Sequence, residues 1–207
     1  MNAREKGMNV RTGGEMAGSV LSFDVGIVNL NACLATMEDG VMTIWRHETI
    51  CIGKRKTTQA DLVRNLVYEL RNRSCFTWWQ PEHACGRMVV IEHQFVPFRP
   101  GTSPSIKLPV IQYALMSLYL GLVDDAGQVI VAHSSKKMES EPVRLLLPLI
   151  EEEDLKKRSI LLFDRLVQDG TIVLKDDAAL TAKKRDDYCD SALQALWALT
   201  QENLAAS

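Results

Sequence analysis

Acidic residues that are far apart in the chain have the types and spacing of a metal-binding centre. Asp187 and Asp190 lie three residues apart at the start of a segment rich in Ala and Leu, so a helix would place both carboxylates on one side of its first turn. Asp24 lies within an apolar stretch, and Glu92 ends the apolar run 88–91. An acid that ends a buried strand is costly without a partner, which favours a functional role.

Carboxylates that meet at one point need a cation between them, because their like charges oppose joint ionisation. Hard oxygen ligands suit Mg²⁺ or Mn²⁺. Two such ions, roughly 4 Å apart, can activate a water molecule and stabilise the leaving oxygen during phosphodiester hydrolysis. A helix N-terminus beside the site would add positive potential for phosphate. The predicted catalytic and metal-binding set, with two ions per site, is Asp24, Glu92, Asp187 and Asp190.

Each of these acids also has a structural alternative when it is taken alone. Asp24 could form an Asx turn at the end of a strand, and Glu92 could be an ordinary surface acid. Acidic residues such as Asp187 and Asp190 are common in a first helical turn, because the helix dipole favours them there. The metal-site hypothesis therefore depends on a fold that brings the four side chains together.

The order of the predicted elements supplies such a fold. Three strands are followed by a helix, a strand, a helix, a strand and further helices. This order predicts an α/β fold with a five-stranded mixed sheet, in which three antiparallel strands precede two parallel ones and helices cover both faces. Residues 169–180 are predicted to form a loop. Parallel pairing of the first and fourth strands would set Asp24 beside Glu92.

Length and composition predict one soluble globular domain. The 207 residues, 46% of them apolar, suit a single domain over residues 19–203. Residues 1–18 are interpreted as a disordered tail or a cloning remnant, with a targeting peptide as an alternative. A net charge of −2 excludes a general polyanion binder, so nucleic-acid contacts must come from local basic clusters. No apolar run is long enough to span a membrane.

The cysteines favour a reducing, intracellular compartment. There are five of them, scattered and without a Cys-x-x-Cys pair, which is atypical of a disulfide framework. Cys75, His83 and Cys85 could instead hold zinc with a fourth ligand, although structural zinc sites usually have paired ligands.

Three short blocks resemble the motifs of RuvC-type Holliday junction resolvases, especially those of the poxvirus and fungal mitochondrial branch. The blocks are SFDVGIVNL at 22–30, VIEHQF at 90–95 and KKRDDYCDS at 183–191. The resemblance implies an RNase H-like fold, a homodimer, and metal-dependent cleavage of four-way DNA junctions. It also implies that the four acids are metal ligands. Arg185 separates the lysines from the acid pair, so Asp186 remains an alternative to Asp187, which its spacing to Asp190 favours.

The same resemblance implies DNA-binding residues. Phe95, three residues after Glu92, matches an aromatic that bacterial members place against bases at the junction; alternatively it packs its own Pro-rich loop. Lys136 and Lys137 resemble a Ser-Lys segment of the viral and fungal branch that could hold a phosphate or neutralise the transition state; alternatively they lie in a solvated turn. The basic residues beside the C-terminal acids are also predicted DNA contacts: Lys183, Lys184 and Arg185.

The predicted function is the resolution of four-way junctions by paired symmetric nicks, which needs two active sites and hence a symmetric dimer. The nearly all-apolar helix 110–123 could be a dimer interface or the central core helix. Two alternatives remain open: an RNase H-like nuclease acting on RNA or an RNA–DNA hybrid, and a non-catalytic nucleic-acid-binding protein of the same fold. A viral protein would act where viral DNA replicates in the host cell, and a mitochondrial location is also open.

Overall fold

Apolar runs separated by turn residues form the strands of one mixed sheet. The computed structural model describes residues 18–72, 87–95, 106–121, 128–152, 154–175 and 185–206. Lys183, Lys184 and the zinc candidates Cys75, His83 and Cys85 lie outside the described residues, as do residues 1–17. The strands in the described ranges are β1 Ser19–Asp24, β2 Leu30–Glu38, β3 Val41–Ile50, β4 Arg87–Glu92, β5 Gln128–Ala132 and β6 Ile172–Leu174.

The strand order is β5-β4-β1-β2-β3-β6. The pairs β1–β2 and β2–β3 are antiparallel, whereas β4 and β5 extend the sheet in parallel from β1. The described part of the chain thus contains the five predicted strands in the predicted arrangement. It also contains β6, parallel to β3, within the segment that was predicted to be a loop. The five-strand prediction was wrong because three residues are too few to show a period.

Helices cover both faces of the sheet, as predicted. The helices in the described ranges are α1 Gln59–Asn72, α2 Lys107–Leu120, α3 Glu141–Leu146, α4 Leu155–Gln168 and α5 Arg185–Ala206, with 3-10 turns at Ser134–Met138 and Leu147–Leu149. None of these helices combines the length and apolar character that crossing a membrane requires. The helix predicted at 110–123 begins three residues earlier and ends three residues earlier.

Two hydrophobic clusters lie on opposite faces of the sheet. The cluster under α4 and α5 contains Val20 of β1 and Val90 of β4. The cluster under α1 and α2 contains their strand neighbours, Leu21 and Ile91. Because side chains alternate along a strand, Asp24 and Glu92 share the face of Val20 and Val90. Both acids therefore lie on the side of the sheet that α5 covers.

Candidate active site

Asp24 and Glu92 lie side by side at the ends of two neighbouring parallel strands. The register pairs Phe23 with Ile91, so the two acids are the next residues in each strand. Burial raises the pKa of the Asp24 carboxyl well above its usual range, and the charge and hydrogen bond of Glu92 raise it further. A cation bound beside this carboxyl would favour its ionised form.

The side-chain amide of Gln94 holds Glu92 through a hydrogen bond. Its Nε2 donates to Glu92 Oε2 at 2.7 Å, and its backbone N–H donates to Oε1 of Gln112 on α2 at 2.6 Å. The loop after β4 is therefore tied to the helix layer behind the sheet. This contact orients the Glu92 carboxylate before any ligand binds.

The first turn of α5 brings two more acids to the same place. After burial and Glu92, the charges of Asp190 and then Asp187 also raise the Asp24 pKa, so both lie within electrostatic reach of it. Asn29 Nδ2 donates to Asp187 Oδ2 at 3.2 Å. Asp186 is directed elsewhere, because its Oδ2 accepts from Lys156 of α4 at 2.5 Å. The structure therefore places Asp187 rather than Asp186 beside Asp24.

Lys137 is directed into the acidic cluster, whereas Lys136 is not. Lys137 Nζ lies 2.6 Å from Asp190 Oδ2, and its side chain is 16% exposed. Lys136 pairs at 2.7 Å with Glu139, and its side chain is 41% exposed. Successive residues of the 3-10 turn leave it in different directions, so these two predicted DNA contacts have different environments.

The donor set fits a divalent metal ion, although the ligands are not drawn together. Among the described residues, no three His, Cys, Asp or Glu side chains form a ready-made metal-binding group. The four carboxylates are nevertheless the hard oxygen donors that Mg²⁺ and Mn²⁺ prefer. Asp190 Oδ1 is buried and has no hydrogen-bond partner in the described ranges. An unpaired buried carboxylate oxygen is costly, and a cation beside it would remove that cost.

A cleft of about 210 Å³ opens beside these acids. It is lined by Asp24, Asp187 and the connection 25–29 between β1 and β2. Gly26 is required by this close packing, because a Cβ at that position would lie 2.2 Å from the Asn29 carbonyl oxygen. The glycine thereby lets Asn29 fold back toward Asp187.

A row of polar side chains extends from Asp24 across the sheet. The register places Asn31 of β2 opposite Asp24, and Thr49 of β3 opposite Asn31. Thr49 Oγ1 donates to Asn31 Oδ1 at 2.7 Å. Asn29 and Asn31 were not predicted to be site residues. The available signal was their position: both follow Asp24 closely, and Asn31 is a polar residue in a buried strand.

Phe95 lies at the edge of the site and is 58% exposed. Its ring makes edge contacts with His93 and His133, with ring centroids 4.6 Å and 5.0 Å away. The loops after β4 and β5 are held together by the His93 N–H, which donates to the Ala132 carbonyl oxygen at 2.7 Å. The ring of Phe95 is thus exposed to solvent near Glu92, a geometry that suits stacking on a base.

Arg185 pairs with Asp164 of α4. Its Nη1 donates to Asp164 Oδ2 at 3.1 Å, and Nη2 makes a second contact with Oδ1. The guanidinium therefore helps to dock the start of α5 against α4. Its predicted contact with DNA remains a prediction.

The fold defined here is the RNase H-like fold of RuvC-type Holliday junction resolvases. Among solved structures, the yeast mitochondrial Holliday junction resolvase Ydc2 is 16% identical with a TM-score of 0.62, over 92% of this chain and 83% of that one. RuvC of Thermus thermophilus is 14% identical with a TM-score of 0.54, over 87% and 95%. The fowlpox virus Holliday junction resolvase is 16% identical with a TM-score of 0.50, over 88% and 99%.

Comparisons of the sequence alone find no match. No protein-family model matches the chain, and no curated protein matches it. Identities of 14–16% establish the fold alone. The functional conclusion therefore rests on the side chains of the site.

Proposed function

We propose that this protein is a metal-dependent, structure-selective endonuclease that resolves four-way DNA junctions. The observation that carries the proposal is the approach of acids from β4 and α5 to Asp24 of β1, whose pKa is raised by burial and then by the charges of Glu92, Asp190 and Asp187. A fold does not by itself define a function. A cluster of mutually repelling carboxylates beside an open cleft, however, is characteristic of a site built for cations.

The carboxylates provide the ligands, and their neighbours position them. Bound divalent ions would activate a water molecule and stabilise the leaving oxygen of the cleaved strand. The residues that would hold these ions are Asp24, Glu92, Asp187 and Asp190. Gln94 orients Glu92, and Asn29 orients Asp187. Lys137 lies within reach of Asp190 and would offer its charge to the phosphate that is cut.

Resolution of a junction needs two such sites that face two strands, so we propose a symmetric homodimer. An outward face of α1 and α2 would form the interface of this dimer. Tyr68 is 65% exposed, Tyr113 62% and Leu120 60%, and α1 packs against α2. Large exposed apolar side chains on adjacent helices are typical of a protein interface. Because this face lies opposite α5, it would leave both acidic sites open to DNA.

A junction-cleavage assay in Mg²⁺ tests the proposed function. The substrates are a mobile four-way junction, a linear duplex of the same sequence, and an RNA–DNA hybrid. We expect paired symmetric nicks in the junction and little cutting of the duplex. Preferential cutting of the hybrid would support the first alternative activity instead. Binding to the junction without cutting any substrate, in Mg²⁺ or Mn²⁺, would support a non-catalytic role and contradict the proposal.

Replacing Phe95 should slow cutting through loss of base stacking at the crossover. Stacking of a base on an aromatic ring contributes about 1–3 kcal/mol, so we expect Phe95→Ala to reduce junction cleavage by roughly 5- to 150-fold. Fluorescence of 2-aminopurine placed at the crossover should report less unstacking. Trp45→Ala is the matched control, because Trp45 is also exposed but bonds Thr36 on the other face of the sheet. Equal effects of the two variants would show that Phe95 only packs its loop.

A further inference from the structure

One buried histidine contacts the helix turn that carries two of the acids. His47 belongs to β3, is 7% exposed, and faces α5. Its Nε2 lies 2.7 Å from Ser191 Oγ. Its ring lies against the ring of Tyr188, with centroids 3.4 Å apart and planes tilted by 34°. Neither contact involves an acidic side chain.

The two partners of His47 alternate with the two acids along α5. Asp187 and Tyr188 are adjacent, and so are Asp190 and Ser191. Residues three apart share one side of a helix. Tyr188 and Ser191 therefore form one stripe, directed to His47, and the acids form the neighbouring stripe. Fixing the first stripe fixes the rotation of the helix turn, and with it the direction of both carboxylates.

The contact acts as a neutral hydrogen bond. Ser191 Oγ donates to the Tyr188 carbonyl oxygen at 3.0 Å. A serine hydroxyl has one hydrogen, so when it donates to that carbonyl oxygen, the neutral His47 ring donates from Nε2 to Ser191 Oγ. Burial lowers the pKa of His47 to about 3, so the ring stays uncharged at neutral pH. It can therefore support the acidic turn without competing with a cation for the carboxylates.

Tyr188 extends the support to a second helix. Its ring also makes an edge contact with Phe163 of α4, with centroids 5.9 Å apart. The tyrosine is 3% exposed and lies between the strand histidine and the neighbouring helix. The α5 turn is therefore held from the sheet and from α4, while its acidic stripe remains directed to β1.

We propose that His47 is a positioning residue of the active site: it sets the rotation of the first turn of α5 so that Asp187 and Asp190 face Asp24. This inference rests on the proposed function, in which Asp187 and Asp190 bind the same metal ions as Asp24. Residues that orient metal ligands typically change metal affinity or activity by 10- to 100-fold when they are replaced. Such a change would leave DNA binding intact, because no DNA contact is removed.

Two substitutions of His47 test its positioning role, because their side-chain nitrogens extend to different distances from the backbone. The amide nitrogen of glutamine extends about as far as histidine Nε2, whereas that of asparagine extends only as far as Nδ1. We expect His47→Asn to weaken Mn²⁺ binding and lower kcat by about 10- to 100-fold, with an unchanged Kd for the junction. His47→Gln should recover most of both losses. Mn²⁺ binding is measured on metal-free protein by electron paramagnetic resonance.

The controls separate failure of this inference from failure of the proposed function. If wild type binds no Mn²⁺, or Asp24→Asn binds it equally well, the proposed function fails and this inference fails with it. If Asp24→Asn loses Mn²⁺ but His47→Asn binds it like wild type, the inference alone is overturned. Glutamine and asparagine variants that are equally impaired also overturn it. Should His47→Asn not fold, Ser191→Ala removes the same hydrogen bond and must weaken Mn²⁺ binding.

Discussion

Asp24→Asn should abolish junction cleavage while leaving junction binding intact. Asp24 lies at the centre of the cluster, since its pKa responds to burial first and then to Glu92, Asp190 and Asp187. Asparagine keeps the shape but removes the charge that a divalent ion needs. We expect the single-turnover cleavage rate to fall roughly 1,000-fold, about 4 kcal/mol in the barrier. Binding to the junction, measured in Ca²⁺ or without metal, should change by less than about threefold.

The stability of the same variant provides a control for folding. A carboxyl with a raised pKa destabilises the folded state once it ionises, so its penalty appears as the pH rises above the unfolded value, about 3.9 for aspartate. In metal-free buffer at neutral pH, Asp24→Asn should therefore have a higher Tm than wild type. Below about pH 4 the difference should vanish, because Asp24 is protonated in both states. A variant that still cuts at a wild-type rate would contradict the metal assignment.

Lys137→Met should reduce cleavage far more than Lys136→Met. Lys137 is ion-paired with Asp190 inside the cluster, whereas Lys136 pairs with Glu139 at the surface. Loss of a charge that stabilises the transition state costs about 2.7 kcal/mol or more, so we expect the single-turnover rate to fall by roughly 100-fold.

Lys136→Met is the matched control, since it removes the same charge one residue away. It should change cleavage only a few-fold and mainly alter the salt dependence of junction binding. Binding isotherms at several salt concentrations separate the two effects. Equal losses of cleavage for both variants would show that the turn 134–138 contributes only general positive charge.

The approach of Asp24 to Glu92 could be anticipated because each acid is marked by a short local pattern, an acid in or after an apolar strand. The order of strands and helices predicts a mixed sheet, and the two acids were expected to meet on the condition that the first and fourth strands pair in parallel. The three-residue spacing of Asp187 and Asp190 predicts their shared side of α5. Each inference needs only a short pattern, and the register of β1 with β4 agrees with it.

The contact of His47 in β3 with α5 could not be predicted, because a β-bulge changes which residues of the strand face α5. Ala35 pairs with Ile44 and Leu34 with Arg46, so Trp45 is the extra residue. Simple alternation from Met42 and Ile44 would place Arg46 on the α5 face. The bulge places His47 there instead. Residues 45–49 contain only one apolar side chain, so the sequence does not show where the phase shifts.

The different environments of Lys136 and Lys137 also could not be predicted from the sequence. Two adjacent lysines in a turn look equivalent, and only the direction in which each leaves the 3-10 turn distinguishes them. The edge strand β6 was missed for a related reason. Its pairing with β3 is a long-range contact, and three residues contain no period from which to infer it.

The most direct test of the acidic site is anomalous diffraction from crystals soaked in Mn²⁺. We expect manganese peaks between the β1–β4 acids and the first turn of α5, within about 2.0–2.3 Å of the carboxylate oxygens, and their loss in Asp24→Asn crystals. Manganese bound elsewhere, with Asp24 still hydrogen-bonded to Glu92 and no peak beside them, would contradict the claim that these residues form a metal-dependent nuclease centre.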